Sequence, residues 1–175
     1  MPVTDVTKDL DTRTLTITAH FDAPVERVWQ LYADPRQLER VWGPPTHPAT
    51  FVEHDLVPGG RMIYYMTGPE GEHFGGWWQI GTVDEPRRFT FDDGFADADL
   101  KPVDDLPVSH NEYSFEADAD GSYLVGLTES QITDVPVTSM MGLMDRTFRR
   151  PKNPWWLQLR DVTRAVAEEP EPADA

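Results

Sequence analysis

Two strand-like stretches carry ionisable side chains at the spacing that general acid–base chemistry uses. In "VEHDL", Glu53 and Asp55 are two residues apart, so an extended chain puts both on one face and His54 on the other. His110 and Glu112 in "SHNEY" are related in the same way. If either pair faced a dry cavity, desolvation would raise its pKa values and make one member a general acid or base. On a solvated face the same residues are ordinary surface charge. His47 and His54, separated by a loop and part of a strand, match no metal-ligand spacing and read as surface or hydrogen-bonded histidines. "DADGSYLVGLTE" sets Asp118, Asp120, Ser122 and Glu129 near the offsets of a calcium loop. Its glycine is misplaced for that role, and the alternation on either side favours a hairpin.

Other chemistry is missing from the sequence. The absence of cysteine removes disulfides, thiolate metal sites and cysteine nucleophiles. There is no Gly-x-Ser-x-Gly elbow, no phosphate-binding glycine loop and no His-Glu-x-x-His motif. No catalytic residue, metal or cofactor is therefore expected. A net charge of −16, from 15 basic and 31 acidic residues, disfavours nucleic acid and anionic membranes as partners. The first residues contain no apolar leader core, and no run approaches membrane-spanning length, so a cytoplasmic location is the expectation.

The elements that must position any site follow from periodicity. "LTITAHF" alternates as a half-buried strand. "DAPVERVWQLY" reads as a helix capped by Asp22, with Val25, Val28, Trp29 and Tyr32 on one stripe. "DPRQLERVWGPP" reads as a second helix, with Asp34 as cap, Pro35 at its first position and Gly43 at the left-handed close. From about residue 49 the pattern turns to strands: "TFVEHDL", "RMIYYMT", "FGGWWQIGTV", "RFTFD", "VSHNEYSFEAD" and "SYLVGLTESQI". The acidic stretch 92–107 reads as a loop between strands, with a lid over a binding site as its functional alternative. Beyond residue 133 the pattern is helical again. "RRPKNP" divides that region, and residues 155–167 form an amphipathic last helix.

The expected organisation is a flexible segment 1–12, one domain over 13–167 and a disordered tail 168–175. Sequential strands with helices at the ends predict an α+β fold with an antiparallel sheet of about seven strands.

At these motifs the sequence resembles a known family. "FDAPVERVWQLYADPRQLERVWGPP", "HDLVPGGRMIYYMTGPEGEHF" and "DEPRRFTF" are similar to successive motifs of the START-like (SRPBCC) superfamily. The nearest branch is the one related to the activator of the ninety-kilodalton heat-shock chaperone ATPase. The similarity runs over residues 14–131 and more loosely to 167. It implies a helix-grip fold, in which a curved sheet wraps around a C-terminal helix and leaves a hydrophobic cavity between them. Such cavities accept lipids, polyketides, hormones or other apolar molecules, and some members use them for catalysis. The divided terminal region and the long acidic loop depart from the family pattern.

Within that frame the family's apolar positions fall on Met62, Tyr64 and Met66, and the cavity wall would continue through Trp78, Phe91, Tyr113 and Phe115. If the hairpin centres on Glu70, Met62 faces Trp78 and Ile63 faces Trp77; a one-residue slip would turn Trp77 inward instead. The first register is preferred, because it puts Ile80 on the inner face with Trp78 and Gln79 outside with Trp77. An outward indole beside Ile63 or Tyr65 would form an apolar patch suited to homodimerisation. The leading functional expectation is binding of an apolar or aromatic small molecule. The alternatives are a cyclase, dehydratase or hydrolase using one of the polar pairs, and a chaperone-associated accessory factor.

Overall fold

Alternating apolar residues and turn-forming glycines produce a single antiparallel sheet. The computed structural model describes residues 3–9, 11–12, 14–43, 45–106, 108–119 and 121–130. Within them lie strands β1 (Val3–Asp9) and β2 (Thr14–Phe21), helices α1 (Val25–Ala33) and α2 (Pro35–Val41), then six further strands. These are β3 (Ala49–His54), β4 (Arg61–Thr67), β5 (His73–Asp84), β6 (Arg88–Ala96), β7 (Ser109–Asp118) and β8 (Gly121–Ser130). The strand order is β1-β2-β8-β7-β6-β5-β4-β3, so β3 to β8 form a meander and β2 joins its far side. Chain neighbours β2 and β3 thus lie at opposite sides of the sheet, and the two helices carry the chain between them.

Three expectations are revised. Val3–Asp9, read as part of a flexible lead-in, pairs with β2 as an edge strand, giving eight described strands where about seven were expected. Asp22 does not cap α1: Pro24 occupies the N-cap and offers no side-chain bond. The acidic loop begins later than residue 92, because β6 continues to Ala96. What remains of it folds back on β6 through an Ala96–Pro102 bridge and a bond from the Val103 N–H to the Phe95 carbonyl, 3.0 Å. The last helix expected at 155–167 lies outside the described residues.

The junction between the helices is set locally. Asp34 ends α1 and caps α2, its carboxylate accepting from the Arg36 N–H at 2.8 Å. Pro35 occupies the first helical position, where no amide is needed. Gly43 takes φ +87°, and a Cβ there would stand 2.6 Å from the His47 carbonyl oxygen. Replacing Asp34 by Ala should cost about 1 kcal/mol of stability, as cap removals typically do. Chemical denaturation checks this, with Asp22→Ala, a residue without a capping role, expected to cost much less.

The helices pack their apolar stripes onto one face of the sheet. Val28, Trp29, Leu31 and Leu38 are fully buried there, in one core with Phe21, Phe89, Tyr113 and Phe115. Bulges in β3 beyond Phe51 and in β5 between Ile80 and Val83 bend those strands. The Thr90 hydroxyl secures the second by accepting from the Thr82 N–H at 2.9 Å.

Candidate functional site

The register places each aromatic residue of the sheet on a definite face. Met62 pairs with Trp78 and Ile63 with Trp77, as the Glu70-centred hairpin requires. Trp78 is fully buried on the inner face, whereas Trp77 lies half-buried on the outer one. Trp77 lies over Gly94, where a Cβ would come within 2.5 Å of the indole, and its Nε1 donates to the Phe95 carbonyl at 3.0 Å. With Ile63 buried beside it and Tyr65 stacked on His73 at 4.3 Å, the outer aromatics are largely covered by the sheet's own residues.

The seven residues expected to line a cavity share the inner face, but at two different ends. Phe115 and Tyr113 lie at the end that α1 plugs. Trp29 meets Phe115 edge-on at 5.4 Å, and Tyr32 meets Tyr113 at 5.3 Å. Phe89 sits among them, fully buried. Phe91 joins this packed floor to Trp78, with ring centres 4.3 Å apart. Met62 is also sealed, while Tyr64 and Met66 approach the other end. There Trp42, from the end of α2, stands edge-on to Trp78 at 4.8 Å and to Tyr64 at 5.9 Å. Trp42, Met66, Phe74, Asp93 and Phe95 keep partial solvent access, so this end of the inner face is the approachable one.

The polar pairs singled out from the sequence do not enter it. Glu53 and Asp55 are exposed, and Glu53 pairs with Arg61 at 2.9 Å. His110 and Glu112 face outward. They border an outer depression of about 330 Å³ with Gln79, Thr90 and Asp92, in which His110 Nδ1 bonds the Asp92 carboxylate. An enzyme using either pair in a dry cavity loses its residues. His54 is spent on the Tyr32 carbonyl at 2.8 Å, and His47 is buried against Phe74 and Thr46. Among the described residues no cluster of three metal-ligating side chains occurs.

The inner face contains one carboxyl that the sequence reading missed, Asp93. It pairs across the sheet with Trp78 on β5 and Ser109 on β7, in the inward row that continues from Phe89 and Phe91. The residue as a whole is only part-buried, but its Oδ1 is sealed from solvent. Burial pushes the carboxyl up to about 7; the Trp78 indole and the Tyr64 hydroxyl nearby pull in the opposite direction. Burial, reinforced by the Asp93 charge, also raises the Tyr64 hydroxyl. Tyr64 reaches across β5 because residue 76 is glycine: a Cβ there would collide with the phenol. The missed signal was parity, since "FTFDD" carries Asp93 on the same side as its two phenylalanines.

Comparison with known proteins follows this geometry. A family model described as Activator of Hsp90 ATPase homolog 1-like protein matches residues 22–149. The chain is 46% identical to a crystal structure of a Mycobacterium smegmatis protein, with 99% of this chain and 100% of that one covered and a TM-score of 0.76. It is 37% identical to a solution structure of an Arthrobacter aurescens protein, covering 98% and 94% of the two chains, with a TM-score of 0.82. A Silicibacter pomeroyi protein of 20% identity shares the fold, with a TM-score of 0.64 over 88% of this chain and 97% of that one. The sequence has no match among curated proteins. Among the described residues no helix is long and apolar enough to cross a membrane.

Proposed function

We propose that this chain, which belongs to the Activator of Hsp90 ATPase homolog 1-like protein family, binds a small apolar or aromatic molecule against the inner face of its sheet. One observation carries the reading. The inner face is aromatic along its length, and among the described residues α1 plugs the end at Phe89, Tyr113 and Phe115 while α2 lies beside β3. The end bounded by Trp42, Met66 and Phe95 stays partly accessible. Pockets for small molecules have this composition, apolar and aromatic walls with a few polar groups that fix orientation. Met62, Tyr64, Trp78 and Phe91 form the wall in this proposal, Met66 its rim, and Tyr113 and Phe115 the floor.

The neutral dye Nile red tests it. Saturable one-to-one binding to the folded protein, with quenching of tryptophan emission, is the expected result. Emission that rises without saturation, or no change at all, contradicts the proposal.

A further inference from the structure

β3 closes one side of the sheet: β4 pairs with it on one flank, and among the described residues no strand lies on the other. The Thr67 N–H donates to the Pro48 carbonyl at 3.0 Å, so the alternation of the ladder turns the Phe51 N–H away from β4. An outward row of backbone groups is a template for pairing with another chain, and edge strands carry charges, prolines or bulges against it. The far half of β3 has such devices, in the bulge beyond Phe51 and the Glu53–Arg61 ion pair. Residues 49–52, Ala-Thr-Phe-Val, carry no charge, and Val52 is 55% exposed. Protection there comes from α2. Glu39 Oε1 accepts from the Phe51 N–H at 2.8 Å, and Arg36 Nη1 fixes the same carboxylate with bonds of 2.7 Å to both oxygens.

We propose that Glu39 is an autoinhibitory guard on the β3 edge, holding the backbone donor through which a second copy of this chain would pair with β3. The excluded occupant follows from symmetry. Laid antiparallel on its own copy with Phe51 opposite Phe51, β3 exchanges two N–H···O=C bonds at that residue, the self-complementary contact of a two-fold dimer. The uncharged run 49–52 sets no repulsion against it. With Glu39 in place the Phe51 N–H is already spent, and the carboxylate stands in the path of an incoming strand. One turn of helix builds the guard: Asp34 accepts from the Arg36 N–H at 2.8 Å, and the Arg36 side chain sets Glu39 three residues on. The contact belongs to the sheet edge and stands apart from the pocket proposed above.

Sedimentation velocity on the full chain tests this. Glu39→Ala should form a reversible species of about twice the natural protein's mass, with a share that rises with concentration. Glu39→Gln should keep the natural mass, because its amide oxygen still accepts from the Phe51 N–H. Adding Val52→Lys to Glu39→Ala should restore the natural mass, since a lysine on an edge strand opposes pairing. Far-UV circular dichroism establishes that each variant is folded. If Glu39→Ala unfolds, Arg36→Ala carries the same test, because it removes an exposed side chain and leaves Glu39 unfixed. A folded Glu39→Ala, or in its place Arg36→Ala, that keeps the natural mass at every concentration overturns the proposal. So does association of Glu39→Gln, or association that persists when Val52→Lys is added.

Discussion

The gap in unfolding free energy between Asp93→Asn and the natural protein should widen by roughly 3 kcal/mol as pH rises from about 4 to about 8, in favour of the variant. Its origin is the burial that holds the Asp93 carboxyl at about 7 in the folded chain, against an ordinary value of 3.8. Below the ordinary value both states carry the proton and the group contributes nothing to pH dependence. Between the two values the folded state binds a proton that the unfolded state has released, so stability falls as pH rises. Above about 7 the carboxylate is ionised in both states and the cost is fully present. The full shift corresponds to about 4 kcal/mol, reduced here because the residue keeps some contact with solvent. The titratable groups that face it are Tyr64 and Tyr113, both raised by burial and neutral across this range. Asparagine keeps the shape and never ionises. Urea denaturation of both proteins across pH reads the gap directly, and parallel stability profiles would remove Asp93 from its dry setting.

Trp78→Ala should cost about 3–5 kcal/mol and Trp77→Ala only roughly 1–2 kcal/mol, although the two residues are adjacent and chemically identical. Trp78 is sealed between Trp42, Tyr64 and Phe91, so its removal leaves a cavity that rigid aromatic neighbours cannot close. Trp77 lies half-buried on the outer face, and its loss forfeits one hydrogen bond and the cover over Gly94. Both variants should unfold with an unchanged denaturant slope, so the difference appears in the midpoint alone. Equal losses would mean that the β4–β5 register is other than Met62 opposite Trp78.

That register was only half legible in the sequence. Alternation offered two registers, the turn "GPEGE" left the hairpin centre open by one residue, and Ile80 beside Gln79 favoured the register that the structure has. The Asp34 cap and the Gly43 close were readable directly, since each depends on a residue type with a local backbone role. Asp22 misled because it is a good capping residue two positions too early: Pro24, directly before Val25, took the N-cap itself. Val3–Asp9 carries little apolar alternation, and its strand depends on pairing with β2, a long-range contact that no local pattern reports.

The candidate site was half legible for a related reason. Apolar residues announce an inner face by periodicity, so the aromatic wall could be listed in advance. A carboxyl on that face breaks the pattern and is read as the start of a loop, which is how Asp93 was absorbed into the acidic stretch. Glu53 and Asp55 attracted attention through spacing alone, but the β3 bulge and the Arg61 pairing put them in solvent.

The most direct measurement is a carbon-13 NMR titration of the Asp93 side-chain carboxyl, assigned by its loss in Asp93→Asn. A midpoint near 7 is the predicted result, because burial disfavours the ionised form. A midpoint near 3.8 would contradict the account, since it would place the carboxyl in water and not at a dry aromatic wall.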